Sequence, residues 1–336
     1  MAAIDRVGRA RPADLKDIVS LVEEDLARVE VLFAEQFRSD VALVSEIGRY
    51  VQDGGGKRIR PALLLLACGL CGYRGERATV LASVVEFIHT ATLLHDDIID
   101  QATVRRGRSS VNSRWGNDIT VLLGDFLYTK AMSTALSRDN LRILRVLSDV
   151  TLRMVEGQLL EIERNGDLEV SEAAHLDIVR RKTADLFSAC MRIGGMLAEV
   201  GEEREAALAS YGLNLGICFQ MVDDLLDFTA DEKVLGKPTA NDLREGKLTL
   251  PVIFLLRRAG RAGAEMVEAV LADRGFDRVS RDDLVGLARE AGALDEARAL
   301  AERYAEAARR ELAGFERSRY REALLSLPDF ILARDY

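Results

Sequence analysis

Apolar side chains recur every three or four residues along nearly the whole chain, which is the spacing of an amphipathic helix. The first such stretch runs through Leu15, Ile18, Val19, Val22, Leu26, Val29, Leu32 and Phe33. No stretch shows the sustained alternation of apolar and polar positions that marks a half-buried strand. Glycine-rich or polar breaks interrupt the pattern at 53–56, 72–75, 106–110, 165–167, 201 and 231–246. The pattern therefore predicts an all-α fold of helices roughly 15 to 30 residues long.

Two of the predicted helices, 79–99 and 211–228, are apolar almost all round. Helices of this kind lie at the centre of a bundle. The segment 257–325 is instead rich in Ala, Glu and Arg with ordinary amphipathic spacing, which indicates outer helices with a charged solvent face. No low-complexity linker or fixed repeat divides the chain, so we expect one domain over residues 1–336, with a flexible segment at 1–14.

The composition agrees with a helical bundle. The 336 residues are 48% hydrophobic and include only 5 prolines, where about 17 would be usual. None lies between Pro61 and Pro238. Because proline lacks an N–H and clashes with the preceding helical turn, its absence favours long uninterrupted helices.

Charge and targeting signals narrow the class of protein. The net charge of -9 argues against a general nucleic-acid binder. The longest apolar run, 61–72, is too short to span a membrane, and the basic N-terminus has no apolar signal-peptide core. The 4 cysteines form one isolated CxxC and two single thiols, which predicts buried, inert side chains. We therefore expect a soluble, cytoplasmic protein.

The two apolar helices carry the same cluster of aspartates. The sequences are HDDIID, with Asp96, Asp97 and Asp100, and VDDLLD, with Asp223, Asp224 and Asp227. On a helix the first and last aspartate of each cluster lie one turn apart, so their carboxylates repel each other. Mg²⁺ prefers oxygen ligands and is commonly held by one or two carboxylates together with substrate phosphates. Two facing clusters are therefore typical of a metal site for a polyanion, although either one alone could be a solvated acidic helix end.

Basic residues beside glycines supply the cations that such a polyanion also needs. The segment 54–61, GGGKRIRP, carries three positive charges, and Arg105-Arg106-Gly107 follows the first aspartate cluster. Neither a P-loop nor a dinucleotide fingerprint is present, because GxxxxGK[ST] and GxGxxG are both absent. Each basic residue alone is typical of a protein surface, and only its company with the carboxylates indicates phosphate binding.

These motifs resemble those of the trans-polyprenyl diphosphate synthases, and they occur in the family's order between residues 50 and 251. They also include Lys182-Thr183, the FQxxDDxxD form at 219–227 and Gly236-Lys237-Pro238. The resemblance, which is to the long-chain octaprenyl and decaprenyl members, implies an all-α isoprenoid synthase bundle with a central cavity. It also implies a homodimer and a Mg²⁺-dependent condensation of isopentenyl diphosphate onto an allylic diphosphate such as farnesyl diphosphate.

The resemblance also assigns roles to single residues. The Mg²⁺ ligands, for about three ions per substrate-bound site, are Asp96, Asp100, Asp223 and Asp227, and Asp97 and Asp224 support the two clusters. The isopentenyl diphosphate ligands are Lys57, Arg60, His89 and Arg106. The residues that hold the allylic diphosphate and stabilise it as it leaves are Arg105, Lys182, Thr183, Gln220, Lys237 and Lys247.

This chemistry explains the residue types. Breaking the allylic C–O bond leaves a carbocation and a diphosphate, so cations aimed at the leaving group lower the barrier. The departing diphosphate is a suitable proton acceptor, which accounts for the lack of an obvious side-chain base among only 3 histidines.

Product length depends on the helix above the first cluster. Ala91 and Thr92 lie about 6 to 7.5 Å before Asp96 along the helix axis, and with Ile88 they should line the wall of a cavity for the growing chain. Small side chains leave this cavity open, so we expect a product of about C40 to C50, for a quinone side chain. The alternative interpretation of Ala91 is that its small side chain serves only to let neighbouring helices pack closely. We also expect transient membrane contact when so apolar a product is released.

Other interpretations remain at this point. A short-chain synthase of the same family, with a product of about C15 to C20, would share every motif. Two Glu-x-x-His pairs, at 86–89 and 172–175, are compatible with a di-iron bundle. The second pair lies at a polar helix start after Ser171, so we expect its Glu172 and His175 to face solvent and expect no catalytic role for His95 or His175. A non-catalytic partner subunit is disfavoured by the intact aspartates. A terpene cyclase or head-to-head coupling enzyme is disfavoured by the GGGKRIR segment, which would supply a second diphosphate site for isopentenyl diphosphate.

Overall fold

The computed structural model describes residues 15–138, 140–229 and 240–334. In the first half, helices α1 to α7 span Leu15–Val19, Glu23–Gln36, Ala42–Asp53, Ile59–Leu70, Arg77–Ile99, Val111–Trp115 and Asn117–Leu136. Helices α8 to α11 span Leu141–Arg164, Glu172–Val179, Asp185–Leu197 and Glu202–Thr229. Helices α12 to α16 span Asn241–Arg244, Leu250–Asp273, Arg281–Glu290, Ala293–Glu311 and Arg319–Leu332. The all-α prediction is confirmed.

The two apolar helices form the centre of the bundle, as their composition predicts. Helix α5 packs against α4 and α7, and α11 packs against α10 and α15. Helix α10 also contacts α4, so it joins the halves that contain α5 and α11. One continuous set of buried apolar side chains extends from Ile18 to Ile331. The aspartate clusters therefore lie at the ends of two helices that the core holds in place.

Three local features differ from the pattern. The helix predicted from Leu15 to Phe33 is interrupted by a 3₁₀ turn at Ser20–Val22. Two short strands, β1 at Val104–Arg105 and β2 at Arg108–Ser109, form a hairpin where no strand was expected. Its turn residues Arg106 and Gly107 both have positive φ, which is typical of two-residue hairpin turns. A π-helical segment, Arg180–Ala184, joins α9 to α10.

The cysteines follow the prediction in part. All four are free, and Cys68, Cys190 and Cys218 are buried, whereas Cys71 at the end of α4 is only half-buried. Burial raises the pKa of the Cys71 thiol to about 11. These thiols are therefore protonated near neutral pH and poor nucleophiles, as expected of core cysteines.

Among the described residues one helix, α5, is long and apolar enough to cross a membrane. Of its most apolar window, 78% is buried inside the bundle, so we interpret α5 as a core helix. The flexible segment predicted at 1–14 and most of the polar break predicted at 231–246 lie outside the described residues.

Candidate active site

The first aspartate cluster occupies the C-terminal end of α5, where Asp100 caps the helix. Its middle member, Asp97, is 3% exposed and accepts a hydrogen bond of 2.7 Å from Arg105 Nε on β1. Burial raises the pKa of Asp97, and the guanidinium opposes this shift. The backbone carbonyl of Asp97 accepts a further bond from the Asn112 amide. Asp97 therefore fastens the hairpin to α5, and Asp96 and Asp100 remain half-buried beside it.

The outer aspartates of this cluster are close to two lysines. Lys247 Nζ lies 3.0 Å from Asp100 Oδ1. Burial raises the pKa of Asp96; nearby Lys182 opposes the rise, and Asp100 adds to it. No hydrogen-bond donor or cationic partner is within bonding distance of the Asp96 carboxylate in the described part of the chain. Asp96 is thus a half-buried carboxylate that lies near positive charges but, among the described residues, has no hydrogen-bonded or ion-paired partner.

The second cluster lies at the C-terminal end of α11 and is supported differently. Asp224 is 3% exposed, and its two oxygens contact the Gln220 amide at 2.9 Å and His175 Nε2 at 3.2 Å. Asp223 is half-exposed and accepts a bond from Arg334. Asp227 Oδ2 accepts a bond of 3.1 Å from the backbone N–H of Asp242. The middle aspartate is again buried, but its partners carry no fixed charge.

The segment 240–247 connects the two clusters. The backbone of Asp242 contacts Asp227, and Lys247 Nζ contacts Asp100. Burial lowers the pKa of Lys247, but Glu161, Asp242 and Asp100 outweigh burial and raise it overall. Burial strongly raises the pKa of Asp242, with further contributions from Asp227 and Asp224. Lys247 therefore remains protonated beside Asp100 on α5, in a segment whose Asp242 backbone N–H binds Asp227 on α11.

Lys182 and Thr183 project from the π-helical segment. Lys182 donates to Glu161 on α8, and Thr183 Oγ1 donates to the side-chain oxygen of Gln220 at 2.9 Å. Neighbouring glycines let the helices approach. A Cβ on Gly157 would lie 2.8 Å from Arg181 Cβ, and one on Gly216 would lie 2.6 Å from Ala184 Cα. The π segment is therefore held between α8 and α11, with one functional side chain directed to each.

A cationic group surrounds the glycine-rich turn before α4. Arg60 Nη1 lies 3.1 Å from His89 Nε2, and its guanidinium lies over the Phe187 ring. Burial strongly lowers the pKa of His89, and Arg60 and Arg106 lower it further. Because arginine only donates, the neutral His89 accepts at Nε2. Gly56 gives Arg106 space, since a Cβ there would lie 2.8 Å from its guanidinium.

Arg58 differs from its neighbours Lys57 and Arg60. It adopts a left-handed backbone conformation at the start of α4, and its guanidinium binds Glu30 on α2 and the buried Glu86 on α5. Lys57 is exposed, and burial together with Arg334 lowers its pKa. The turn is therefore pinned to α2 and α5 through Arg58, whereas Lys57 is exposed and Arg60 contacts His89.

The residues proposed to set chain length lie on α5. Ile88 and Ala91 are buried, at 0% and 3% exposure. Thr92 is half-buried, and its hydroxyl donates to the carbonyl of His89 at 2.8 Å. The remaining predicted ligand, Lys237, lies outside the described residues.

The donor set suits a divalent cation completed by substrate oxygens. Within 15–138, 140–229 and 240–334, no three acidic, histidine or cysteine side chains are grouped closely enough to hold a metal ion by themselves. Mg²⁺ commonly takes only one or two carboxylates and fills its remaining positions with water and phosphate oxygens. The directly unpartnered carboxylate of Asp96, beside Asp100, fits this kind of binding.

The prediction that the His175 side chain faces solvent is wrong. Its side chain is buried, 8% exposed, and contacts Asp224, although Glu172 is partly exposed and paired with Arg257. The spacing of His175, Ile178 and Val179 is that of one helix face, and this signal could have identified His175 as a buried residue. Sequence reasoning also missed Glu161, Glu86 and Arg334. His95 is directed toward α7, where it contacts the Val121 carbonyl.

Known proteins are similar to this chain in sequence. A family model described as polyprenyl synthetase matches residues 41–283. The chain is 37% identical over 322 residues to an octaprenyl diphosphate synthase of Escherichia coli, covering 96% of this chain and 99% of that one. It is 36% identical over 299 residues to a geranylgeranyl diphosphate synthase of Methanosarcina mazei, covering 86% and 89%.

A solved structure agrees with the sequence comparison. The polyprenyl synthase of Caulobacter crescentus, complexed with calcium and isoprenyl diphosphate, superposes with a TM-score of 0.92 at 37% identity, over 97% of this chain and 99% of that one. The likeness extends across both aspartate clusters and the glycine-rich turn. This chain therefore belongs to the polyprenyl synthetase family and is a trans-prenyltransferase that elongates an allylic diphosphate with isopentenyl diphosphate.

Proposed function

We propose that this enzyme is a long-chain polyprenyl diphosphate synthase, dependent on Mg²⁺, with a product of about C40 to C50 that serves as a quinone side chain. The observation that carries the proposal is the pair of small side chains, Ala91 and Thr92, one turn before Asp96 on α5. A bulky side chain at either position would close the path of a growing chain early. The similarity to octaprenyl diphosphate synthase supports the same product class.

Each group of residues has a separate task in this proposal. Asp96, Asp100, Asp223 and Asp227 would hold Mg²⁺, which would supply positive charge to neutralise the leaving diphosphate. The cations on the allylic side are Arg105, Lys182, Lys237 and Lys247, and Thr183 and Gln220 add hydrogen bonds. These fixed charges favour the separated diphosphate over the intact ester, because they are in place before the bond breaks.

Isopentenyl diphosphate binds to the other cationic group. Arg60, Arg106 and Lys57 surround the turn at 54–57, and His89 orients Arg60 through the contact of 3.1 Å. This placement directs the alkene toward the allylic carbon. The proton released after the new C–C bond forms passes to the departing diphosphate, since desolvation lowers the pKa of His89 and its Nε2 is occupied by Arg60.

We also propose a homodimer, assembled through the outer face of α8. Leu152, Val155, Leu159 and Ile162 are exposed there at helical spacing, with Leu122 of α7 also exposed. Contiguous apolar patches of this kind mark interaction surfaces. Light scattering on the purified protein, which measures its molar mass in solution, tests whether it is a dimer.

We propose a cytoplasmic location with transient membrane contact during product release.

A direct assay tests the main proposal. Purified protein is incubated with Mg²⁺, isopentenyl diphosphate and farnesyl diphosphate, and the product lengths are measured. Elongation to about C40 to C50 is expected. Folded protein that adds no isoprene unit would overturn the assignment, and a product that stops at about C20 would favour the short-chain alternative.

A substitution tests the role of Ala91. Ala91→Phe should shorten the main product by several isoprene units, because an aromatic ring about one turn from Asp96 obstructs the cavity. Ala91→Val should shorten it less. The rate of the first condensation and the melting temperature serve as controls for folding. An unchanged product distribution in Ala91→Phe would mean that Ala91 only permits close helix packing.

The di-iron alternative gains nothing from the geometry. Glu86 is engaged by Arg58 and Glu172 by Arg257. The histidines of the two pairs are likewise occupied, His89 by Arg60 and His175 by Asp224. Neither pair presents the glutamate and histidine together as ligands.

A further inference from the structure

A buried histidine lies behind the second aspartate cluster. His175 is on α9, the helix that begins after the Ser171 cap, and its Nε2 lies 3.2 Å from Asp224 Oδ2. The other carboxylate oxygen, Oδ1, accepts a bond of 2.9 Å from the Gln220 amide. The carbonyl oxygen of Gln220 in turn accepts the Thr183 hydroxyl at 2.9 Å. Four side chains therefore form a continuous chain from α9 through α11 to the π-helical segment.

This chain leaves the Asp224 carboxylate little freedom. Asp224 is 3% exposed, so water cannot replace a lost partner easily, and a buried carboxylate oxygen without a donor is costly. With both oxygens engaged, the plane of the carboxylate is fixed. The orientation of the Gln220 amide, and through it that of Thr183, follows from this plane.

The same residues border one cavity. A cavity of about 120 Å³ is lined by His175, Lys182, Thr183, Gln220, Asp224 and Lys247, among others. Arg60 and His89 are not among the residues that line this cavity. In the described part of the chain, no hydrogen bond links His175 or Asp224 to that second group.

We propose that His175 is a positioning residue for the allylic-diphosphate side of the site. It holds Asp224, and Asp224 holds Gln220 and Thr183 in the orientation that receives the diphosphate. This inference rests on the proposed function, because it takes the Lys182 and Thr183 side as the one that binds the allylic substrate. The inference predicts different results for the two substrates: loss of His175 weakens binding of the allylic diphosphate and leaves binding of isopentenyl diphosphate unchanged.

The test compares two variants of His175 in steady-state elongation. His175→Ala should raise the KM for farnesyl diphosphate about tenfold, the usual scale for losing a supporting hydrogen bond. The KM for isopentenyl diphosphate should stay within about twofold, because Arg60, His89 and Arg106 keep their contacts. His175→Gln places an amide donor near the Nε2 position and should recover most of the loss. Glu172→Gln, on the same helix and partly exposed, is the matched control and should behave like wild type.

Three results would overturn the inference. They are equal changes in both KM values, a fall in kcat with both KM values unchanged, or a Gln variant as impaired as the Ala variant. Each would reduce His175 to a general packing role. If His175→Ala fails to fold, His175→Leu takes its place, because it fills the buried position without a donor for Asp224; the KM for farnesyl diphosphate should again rise while that for isopentenyl diphosphate stays unchanged.

A binding measurement separates this inference from the proposed function. Inorganic pyrophosphate is titrated into each protein by calorimetry, with and without Mg²⁺. The Mg²⁺-dependent affinity should fall about tenfold in His175→Ala and recover in His175→Gln. Should the wild type fail to elongate any prenyl chain, the proposed function falls, but the titration still decides whether His175 positions a diphosphate site. Equal pyrophosphate affinity in wild type and His175→Ala would overturn the positioning role.

Discussion

The two aspartate clusters have the same sequence pattern but different supports. On α5 the middle aspartate, Asp97, is held by the permanently charged Arg105. On α11 the middle aspartate, Asp224, is held by a neutral amide and an imidazole. The outer residues differ too, since Asp100 contacts a lysine and Asp227 contacts a backbone N–H.

The sequence pattern shared by the two clusters therefore determines which aspartate is most buried, but it does not determine which side chain binds that aspartate. In both clusters the middle aspartate is the most buried, at 3% exposure, whereas Asp96 and Asp100 are half-buried, Asp223 is exposed and Asp227 is 8% exposed. The partner is whatever side chain the packed helices bring to that place. Arginine can only donate, whereas histidine and glutamine can donate or accept, so the second cluster tolerates changes that the first does not.

The largest effect is expected from the outer aspartates, for which the two clusters should be equivalent. Asp96→Asn and Asp223→Asn should each reduce elongation by on the order of 10²–10³-fold, as expected for losing a group that stabilises the leaving diphosphate. Turnover at saturating Mg²⁺ measures this. Retained turnover in one variant alone would show that a single cluster carries the chemistry.

The Asp96 variant also has a pH signature. Burial raises the pKa of Asp96 in the folded protein, so the folded state holds its proton more tightly and loses stability as the pH rises past the unfolded value of about 3.9. At pH 7 without Mg²⁺, Asp96→Asn removes this cost and should melt higher than wild type. The gain should disappear below that unfolded value. A lower melting temperature at pH 7 would contradict the predicted sign.

An intermediate effect should distinguish the middle aspartates. Asp97→Asn removes a carboxylate whose pKa burial raises, but unlike Asp96→Asn it also leaves two Arg105 donors with a poorer acceptor. We expect the lost ion pair to outweigh the relief of burial and to cost about 2 kcal/mol of unfolding free energy. Asp224→Asn can rearrange, because its amide can donate to His175 Nε2 while its oxygen still accepts from Gln220; a cost below about 1 kcal/mol is expected. Urea unfolding of both variants measures the difference. Equal costs would mean that partner chemistry does not matter.

The smallest effect on turnover is expected for the π-helical segment, Arg180–Ala184. Gly157→Ala places a Cβ 2.8 Å from Arg181 Cβ and 3.0 Å from Lys182 N, so the π segment must shift. A few-fold loss of kcat and a cost of about 1–2 kcal/mol are expected. Gly286→Ala on α14 is the control, because no atom lies within 4 Å of the added Cβ. If Gly157→Ala matches this control in kcat and stability, the close approach has no functional importance.

Much of the site could be predicted from sequence because its signals are local. The spacing of the aspartates puts them on helix faces, the apolar flanks put those helices in the core, and Ser171 is the helix cap that the pattern indicated. The partners could not be predicted in this way. His175 and Asp224 are 49 residues apart. Whether they meet depends on how α9 packs on α11, and the polar residues beside His175 in the sequence do not determine this packing.

The hairpin and the role of Arg58 escaped prediction for a related reason. Strands of two residues have no periodicity to detect, and the turn at Arg106 is defined by its backbone conformation. Arg58 lies among three basic residues that look alike in sequence. Only the positions of Glu30 and Glu86, each 28 residues away, make it structural.

The π-helical segment has a consequence for how this chain tolerates change in length. Each residue of an ordinary helix turns the following side chains by about 100°, and a π-helical turn accommodates one residue more than an α-helical turn. Deleting one residue between 180 and 184 could therefore restore a regular helix without breaking the bundle, yet it would rotate Lys182 and Thr183 away from Glu161 and Gln220. We expect a one-residue deletion here to preserve the fold and to abolish the activity. A folded but inactive relative could therefore arise at this segment in a single step.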